Sequence, residues 1–352
     1  MVPDAKMPNE ILTQAGAAAH APAARAVPAE PLLSVVIPCF NAETFLEETV
    51  ASLMAQTYPH IEIILVDDGS SDGTAALADR LARESVRGRF PVRAIHQANA
   101  GPSAARNAGI SAARGKYIGF VDSDDRWHTE KAAVQVALME RDPSIGLTFS
   151  GWRIIRENGE PTARYGVTPA GAVTLEALLY ANLVATTSSV IARGAVLRDA
   201  GGFEPTMRHA EDLDLWLRIA ARPDTHVAST GTVLIDRRER AGQLTKQWVK
   251  MYDGWIETFE RVHALVPERV DRVARGAKAM NERYCAFLAY EAGDYPGARR
   301  MLFQGWLRDP VTLAMRKRSY PTTFAVLATY LPRALHDGLL RHMRALREGR
   351  KL

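Results

Sequence analysis

Cysteine is scarce: two residues, Cys39 and Cys285, in a chain of 352. They lie far apart in dissimilar surroundings and without metal-ligand spacing. That argues against a disulfide framework and a zinc site, and leaves two free thiols in a reducing compartment. Long apolar runs are missing too, since no segment reaches the ~20 continuous apolar residues a membrane-spanning helix needs. Nor is there a strong charge of one sign. A net charge of +4 is too weak to argue for nucleic acid as a partner. The small excess is concentrated in residues 311–352, where nine Lys and Arg face two acids. Residues 1–31, rich in Ala and Pro, lack a charged head followed by an apolar block. They read as a disordered leader and not a signal peptide, so a cytoplasmic location is expected. What is present is ordinary: 47% apolar and 24% charged residues, enough to bury a core. The length leaves room for one α/β domain of roughly 200–250 residues and something smaller.

The most informative stretch is Tyr117-Ile118-Gly119-Phe120-Val121-Asp122-Ser123-Asp124-Asp125, an apolar run that delivers three carboxylates within four residues. Crowded like charges raise one another's pKa, and a buried strand tolerates them badly. A divalent cation relieves the crowding, and hard oxygen ligands suit Mg²⁺ or Mn²⁺. Such a cation could bind a diphosphate, which points to a nucleotide-activated donor. A solvated acidic turn is the simpler alternative for this run alone.

The rest of the first half reads as alternating strands and helices. Strands are expected at 32–38, 61–66, 92–96 and 117–121, and helices at 43–56, 75–84 and 101–114. Short connections between them predict a parallel, doubly wound sheet, an α/β fold. In such sheets ligands bind outside the carboxyl ends of the strands. Three of the four strands leave distinctive polar residues there: Cys39-Phe40-Asn41, Asp67-Asp68 and Asp122-Ser123-Asp124. Beyond Trp127 the pattern is less regular, with helices expected at 131–141 and 175–183 and strands at 146–155 and 186–191. A further helix is expected to start near Glu211, where two acids suit the positive end of its dipole.

Four segments taken in order closely resemble the family 2 glycosyltransferases. They are Ser34-Val35-Val36-Ile37-Pro38-Cys39-Phe40-Asn41, Val66-Asp67-Asp68-Gly69-Ser70-Ser71-Asp72-Gly73-Thr74, Asn99-Ala100-Gly101-Pro102-Ser103-Ala104-Ala105-Arg106-Asn107-Ala108-Gly109 and Phe120-Val121-Asp122-Ser123-Asp124-Asp125. The likeness continues through Gly201-Gly202-Phe203 and Glu211-Asp212-Leu213-Asp214-Leu215-Trp216, and so covers about residues 32–245. It implies the GT-A fold, a Rossmann-like nucleotide-diphospho-sugar transferase architecture, and an inverting, metal-dependent transfer. Pro38, Phe40 and Asp68 would line the base and ribose pocket. Asp122-Ser123-Asp124 resembles the Asp-X-Asp motif, with Asp124 the direct Mn²⁺ or Mg²⁺ ligand and Asp122 on the ribose or the metal. Asp212 matches the general base, with Glu211, its neighbour in the acidic pair, the alternative for that role. Arg106 would reach a phosphate or form a helix-surface salt bridge. Arg238 and Arg240 correspond to the basic group that contacts the diphosphate, although Arg240 replaces the common histidine.

Residues 246–352 read as a helical region with a basic tail. Residues 286–302 resemble one tetratricopeptide-like hairpin, too few to form a solenoid. Residues 321–347 alternate apolar and basic side chains, as an interfacial helix at anionic lipid does, or a terminal helix with a solvated face. The implied partners are a nucleotide-diphosphate sugar, a UDP-sugar first, and a glycan or lipid-linked glycan acceptor held by residues 152–187. A catalytically silent binding subunit and a nucleotidyltransferase are the competing readings. The latter would favour a glycine-rich phosphate loop after the first strand, where Pro38-Cys39-Phe40-Asn41 stands.

Overall fold

The structure is a computed structural model and describes residues 30–239, 248–317, 319–332 and 335. The first half runs β1 (Leu33–Cys39), α1 (Leu46–Met54), β2 (Ile61–Asp68), α2 (Thr74–Glu84), β3 (Val92–Gln97), α3 (Pro102–Ala112) and β4 (Tyr117–Phe120). Val35, Ile37, Ile63 and Leu65 enter one apolar core, while Val36, Ile64 and Val66 enter another. Successive side chains point to opposite faces of the sheet. With both faces covered by helices, these strands must be apolar throughout, which is why they read as unbroken runs.

The chain continues with β5 (Arg126–Trp127), α4 (Lys131–Arg141), β6 (Ile145–Ile155), β7 (Pro161–Gly166), β8 (Gly171–Val173), α5 (Leu175–Tyr180), β9 (Val190–Arg193), α6 (Gly194–Asp199), α7 (Glu211–Ala220) and β10 (His226–Arg238). The sheet has the order β3-β2-β1-β4-β9-β6-β10-β5, with β7 on β6 and β8 on β10. Strands β1 to β4 pair in parallel. That is the parallel sheet expected for the first half; beyond it the sheet is mixed, with β10 parallel to β6 but β9 antiparallel to both β4 and β6. The cause is where β9 begins. A short helical turn, Thr187–Ser189, precedes it. There the Ser188 hydroxyl accepts from the Asp122 N–H at 3.0 Å. A strand that starts beside the carboxyl end of β4 can only run back along it.

Helices α8 (Trp248–Leu265), α9 (Pro267–Asp271), α10 (Ala274–Glu291), α11 (Tyr295–Arg308), α12 (Pro310–Met315) and α13 (Ser319–Ala328) follow. Trp255, Phe259, Val262, Val270 and Ala277 enter the same core as Val36 and Phe120, so these helices share the interior of the sheet layer. The chain breaks between α9 and α10, and both Val270 and Ala277 reach that core. The hairpin expected at 286–302 is α10 turning into α11 at Gly293 (φ +79°), with Asp294 capping α11 by accepting from the Gly297 N–H at 2.9 Å. The boundary expected near residue 245 and residues 1–29 lie outside the described residues. Cys39 and Cys285 are both free and buried. No helix among the described residues is long and apolar enough to cross a membrane.

One glycine sets how closely α3 approaches the sheet. A Cβ on Gly109 would lie 2.2 Å from Val36 Cγ1, a separation neither side chain can absorb within a packed core. Gly109→Ala is therefore expected to lower stability by about 1–3 kcal/mol. Thermal melts check this, and Val36→Ala in the same chain should restore part of the loss; an unchanged melting temperature for the single variant would refute the close approach.

Candidate active site

Strands β1, β2 and β4 end at one edge of the sheet, beside a cleft of about 1110 Å³. The cleft is lined by Pro38, Phe40, Asp68, Arg106, Asp122, Asp124, Glu211, Asp212 and Arg238, so these candidates from distant segments share one cavity. Arg240 lies outside the described residues.

At the end of β1 the Phe40 ring is 52% exposed, unusual for a phenylalanine next to a core strand and suited to stacking on a flat ligand. The chain reverses at Asn41 (φ +48°), whose side-chain oxygen accepts from the Ser71 N–H at 2.9 Å and ties the β1 and β2 ends together. Asp68 is buried and already engaged. Its carboxylate accepts from Gln97 Nε2 at 2.7 Å and from the backbone N–H groups of Ala100 at 2.9 Å and Gly101 at 2.8 Å. It thus shapes the loop at 99–101. Gly69 follows in a left-handed conformation (φ +70°), where a Cβ would sit 2.8 Å from the Asn99 nitrogen.

The acidic turn after β4 divides its work. Asp125 is buried, accepting from the Arg238 N–H at 2.9 Å and from the Ser188 hydroxyl at 2.7 Å. Burial, then the charges of Asp122 and Asp124, push its carboxyl well above the usual range. Thr49 on α1 donates its hydroxyl to the carbonyls of Ser123 at 3.0 Å and Asp125 at 2.9 Å, pinning the turn from below. All three carboxylates line the cleft, but Asp122 and Asp124 are only half-buried. No group of three or more His, Cys, Asp or Glu among the described residues is arranged to hold a metal by itself. Two carboxylate side chains fit a hard cation that takes its remaining ligands from phosphate oxygens and water, as Mg²⁺ commonly does. The crowding around Asp125 marks where a positive charge would be most stabilised.

Arg106 joins the two acidic clusters. It is buried on α3, and its guanidinium donates to Asp122 at 3.0 Å, Thr187 at 3.3 Å and Glu211 at 3.2 Å. It also lies over the Phe203 ring, 5.3 Å from the centroid. Of the two roles expected for Arg106, phosphate contact or surface salt bridge, the geometry gives a third: an interior clamp. Glu211 and Asp212 open α7 behind Ala210, which takes a left-handed conformation (φ +61°) that alanine rarely adopts. The pKa of Asp212 is pushed up to about 6, first by burial and then by Glu211, against the lowering effects of the Leu213 N–H and Arg106.

Arg238 is likewise committed to the protein. Its guanidinium donates to Glu48 at 2.6 Å and to the carbonyls of Asp124 at 3.0 Å, Arg156 at 3.3 Å and Glu157 at 2.6 Å, and stacks over Phe45. A buried cation bound this fully serves to brace the acidic turn. Its neighbour Arg237 also lines the cleft, is less buried, and has no hydrogen-bond or ion-pair partner among the described residues. Sequence reasoning passed over Arg237, and over Asn281 and Tyr284 on α10, which also line the cleft. Nothing in the local pattern marks any of the three.

Residues 34–192 match the family described as Glycosyl transferase family 2. They form a family 2 glycosyltransferase domain. The glycosyltransferase is 29% identical over 238 residues to a Bacillus subtilis glycosyltransferase assigned by name to teichuronic acid biosynthesis (TuaG), covering 66% of this chain and 90% of that one. It is 53% identical over 95 residues to the uncharacterized B. subtilis glycosyltransferase EpsJ, and 40% over 130 residues to the uncharacterized Escherichia coli glycosyltransferase YibD. Those matches span only 26% and 36% of the two relatives. The mannosyltransferase PcManGT of Pyrobaculum calidifontis, solved with GDP-Man and Mn²⁺, superposes with a TM-score of 0.53 at 17% identity, covering 85% of this chain and 84% of its own. Staphylococcus aureus TarS 1–349 with UDP-GlcNAc gives 0.50 at 19% identity, covering 86% and 82%. The fold is GT-A.

Proposed function

We propose that the glycosyltransferase moves a sugar from a nucleoside-diphosphate donor, a UDP-sugar first, to a hydroxyl of a glycan or lipid-linked glycan, with inversion at the anomeric carbon. The observation that carries this reading is the Arg106 clamp, which puts Asp122 and Glu211 on one side chain and so the acidic turn and the acidic helix start in one cleft. Solved structural relatives hold UDP-GlcNAc or GDP-Man, and one holds Mn²⁺. The catalytic unit would span 32–245 and the helical region 246–352.

In this reading Phe40 and Pro38 receive the base, and Asp68 acts by setting the loop at 99–101. Asp122 and Asp124 would hold Mn²⁺ or Mg²⁺, which, when bound, neutralises charge developing on the leaving diphosphate. Arg237 supplies a further positive charge to that diphosphate. Asp212 accepts the acceptor's proton as its oxygen attacks the anomeric carbon from the face opposite the leaving group, so one displacement inverts the centre. Glu211, held by Arg106, keeps the Asp212 carboxylate basic by like-charge repulsion. The intact carboxylates disfavour a silent subunit, and Pro38-Cys39-Phe40-Asn41 stands where nucleotidyl transfer would favour a glycine-rich phosphate loop.

Thermal-shift measurement tests the donor side. UDP with Mn²⁺ is expected to raise the melting temperature and to lose that effect in Asp124→Ala; stabilisation that survives the substitution counts against the assignment. Peripheral membrane contact is proposed as well. Residues 336–352 lie outside the described residues, but Phe303, Leu307, Met315, Phe324 and Leu327 are exposed apolar side chains on α11 to α13, with Arg316 and Lys317 beside them. Co-sedimentation with vesicles containing about a third anionic lipid should exceed that with neutral vesicles and fall in a Phe324→Glu, Leu327→Glu variant. Equal sedimentation in all arms would dismiss it.

A further inference from the structure

The expected acceptor region does reach the cleft through Trp152, Tyr180 and Asn182, but the helical region contributes a wall of its own. Met251 and Trp255 on α8 and Met280, Asn281 and Tyr284 on α10 all line it. Two features of that wall have no structural purpose. Asn281 is only 7% exposed, yet its side-chain Nδ2 has no hydrogen-bond partner. Its amide oxygen receives just a weak contact from the Cys285 thiol at 4.0 Å. Buried amide groups are ordinarily paired, because an unpaired one forfeits its hydration for nothing. Tyr284, three residues on and so on the same helix face, leaves 40% of its surface open.

We infer that Asn281 and Tyr284 form the acceptor subsite, and that it receives a pyranose ring. A sugar ring has apolar C–H faces and a hydroxyl rim, so it satisfies both features together: a face against the tyrosine, and a rim oxygen accepting from Asn281 Nδ2. An alkyl chain would leave the amide unpaired. Trp255 and Met280, almost fully buried, give the subsite a dry floor. The subsite shares one cleft with Asp212 and Arg237. This assignment rests on the proposed transferase reading and names its acceptor class.

Saturation-transfer NMR with methyl pyranosides of glucose, galactose, mannose and N-acetylglucosamine tests it, with and without UDP and Mn²⁺. At least one pyranoside should bind the full chain, and Asn281→Leu and Tyr284→Ala should each weaken it by about tenfold or more. Tyr284→Phe should bind nearly as the parent does, because it keeps the ring. UDP binding, followed by thermal shift, should stay within about twofold in every variant that retains the parent melting profile. The inference is overturned when no pyranoside binds the parent, or when both Asn281→Leu and Tyr284→Ala bind it undiminished. Failure of UDP to bind the parent would overturn the donor reading alone, since the nucleotide-free arm still reports on the subsite.

Discussion

Asp212→Asn is expected to reduce turnover by about 10²–10⁴-fold at pH 8 while leaving UDP binding unchanged, because only the proton acceptor is lost. The groups that face Asp212 are Glu211 on its own helix, Arg106 on α3, Asp122 after β4 and Tyr284 on α10. Burial and Glu211 outweigh Arg106 and bring its pKa to about 6, against 3.8 for an ordinary aspartate. A base must be unprotonated to act, so kcat/KM should fall about tenfold per pH unit below 6 and level off above it. Stability runs the other way. Between about 4 and 6 the folded protein binds more protons at this site than the unfolded chain, so the site's contribution to stability declines as pH rises through that window. Above it the charged Asp212 is a net cost. The same Asp212→Asn variant should thus melt about 2 °C or more above the parent at pH 8, with the difference shrinking towards pH 4. A variant that keeps its activity, or a pH profile flat down to pH 5, would remove Asp212 from the role of base.

Arg106→Met should be the most damaging single substitution in the cleft. It strips the countercharge from Glu211 and Asp122 at once and leaves the carboxylates around Asp212 facing one another. Removing one partner of a buried ion pair costs roughly 3–5 kcal/mol. The Asp122 arm is more open to water and contributes the smaller share. A drop in melting temperature of about 10 °C is expected by calorimetry. Arg106 also holds the Asp212 pKa down, so any residual activity should show its acid limb displaced to higher pH. Arg106→Lys should rescue little, because an ammonium cannot fork between two carboxylates as a guanidinium does. A melting temperature within about 2 °C of the parent would contradict the clamp.

The parallel half of the sheet was legible because both its faces are buried, which leaves β1, β2 and β4 as plain apolar runs ended by polar residues. The direction of β9 was not, since it depends on Ser188 meeting Asp122, a hydrogen bond across 66 positions. The motif segments pointed to the cleft and singled out Asp122 and Asp124, which line it, but they did not show what Asp125 does. Asp125 resembles its neighbours in the sequence, yet turns inward to Ser188 and Arg238. The choice between Arg237 and Arg238 needed strand parity, and β10 shifts register against β6 between Ser229 and Val233 and again before Ile235. Counting alternate residues along such a strand gives the wrong face as easily as the right one. Asn281 and Tyr284 sit on a helix whose apolar spacing is explained by packing, so their second duty left no trace.

Arg238 reaches Glu48 across 190 positions and Asp125 across 113. A fragment cut at residue 192, where the family match ends, would keep the acidic turn with Thr49, Arg106 and Ser188 on it but would lack the Arg238 brace. A piece that keeps every brace of this turn must therefore extend through the end of β10, and during synthesis the turn lacks its Arg238 contacts until that last strand has been made.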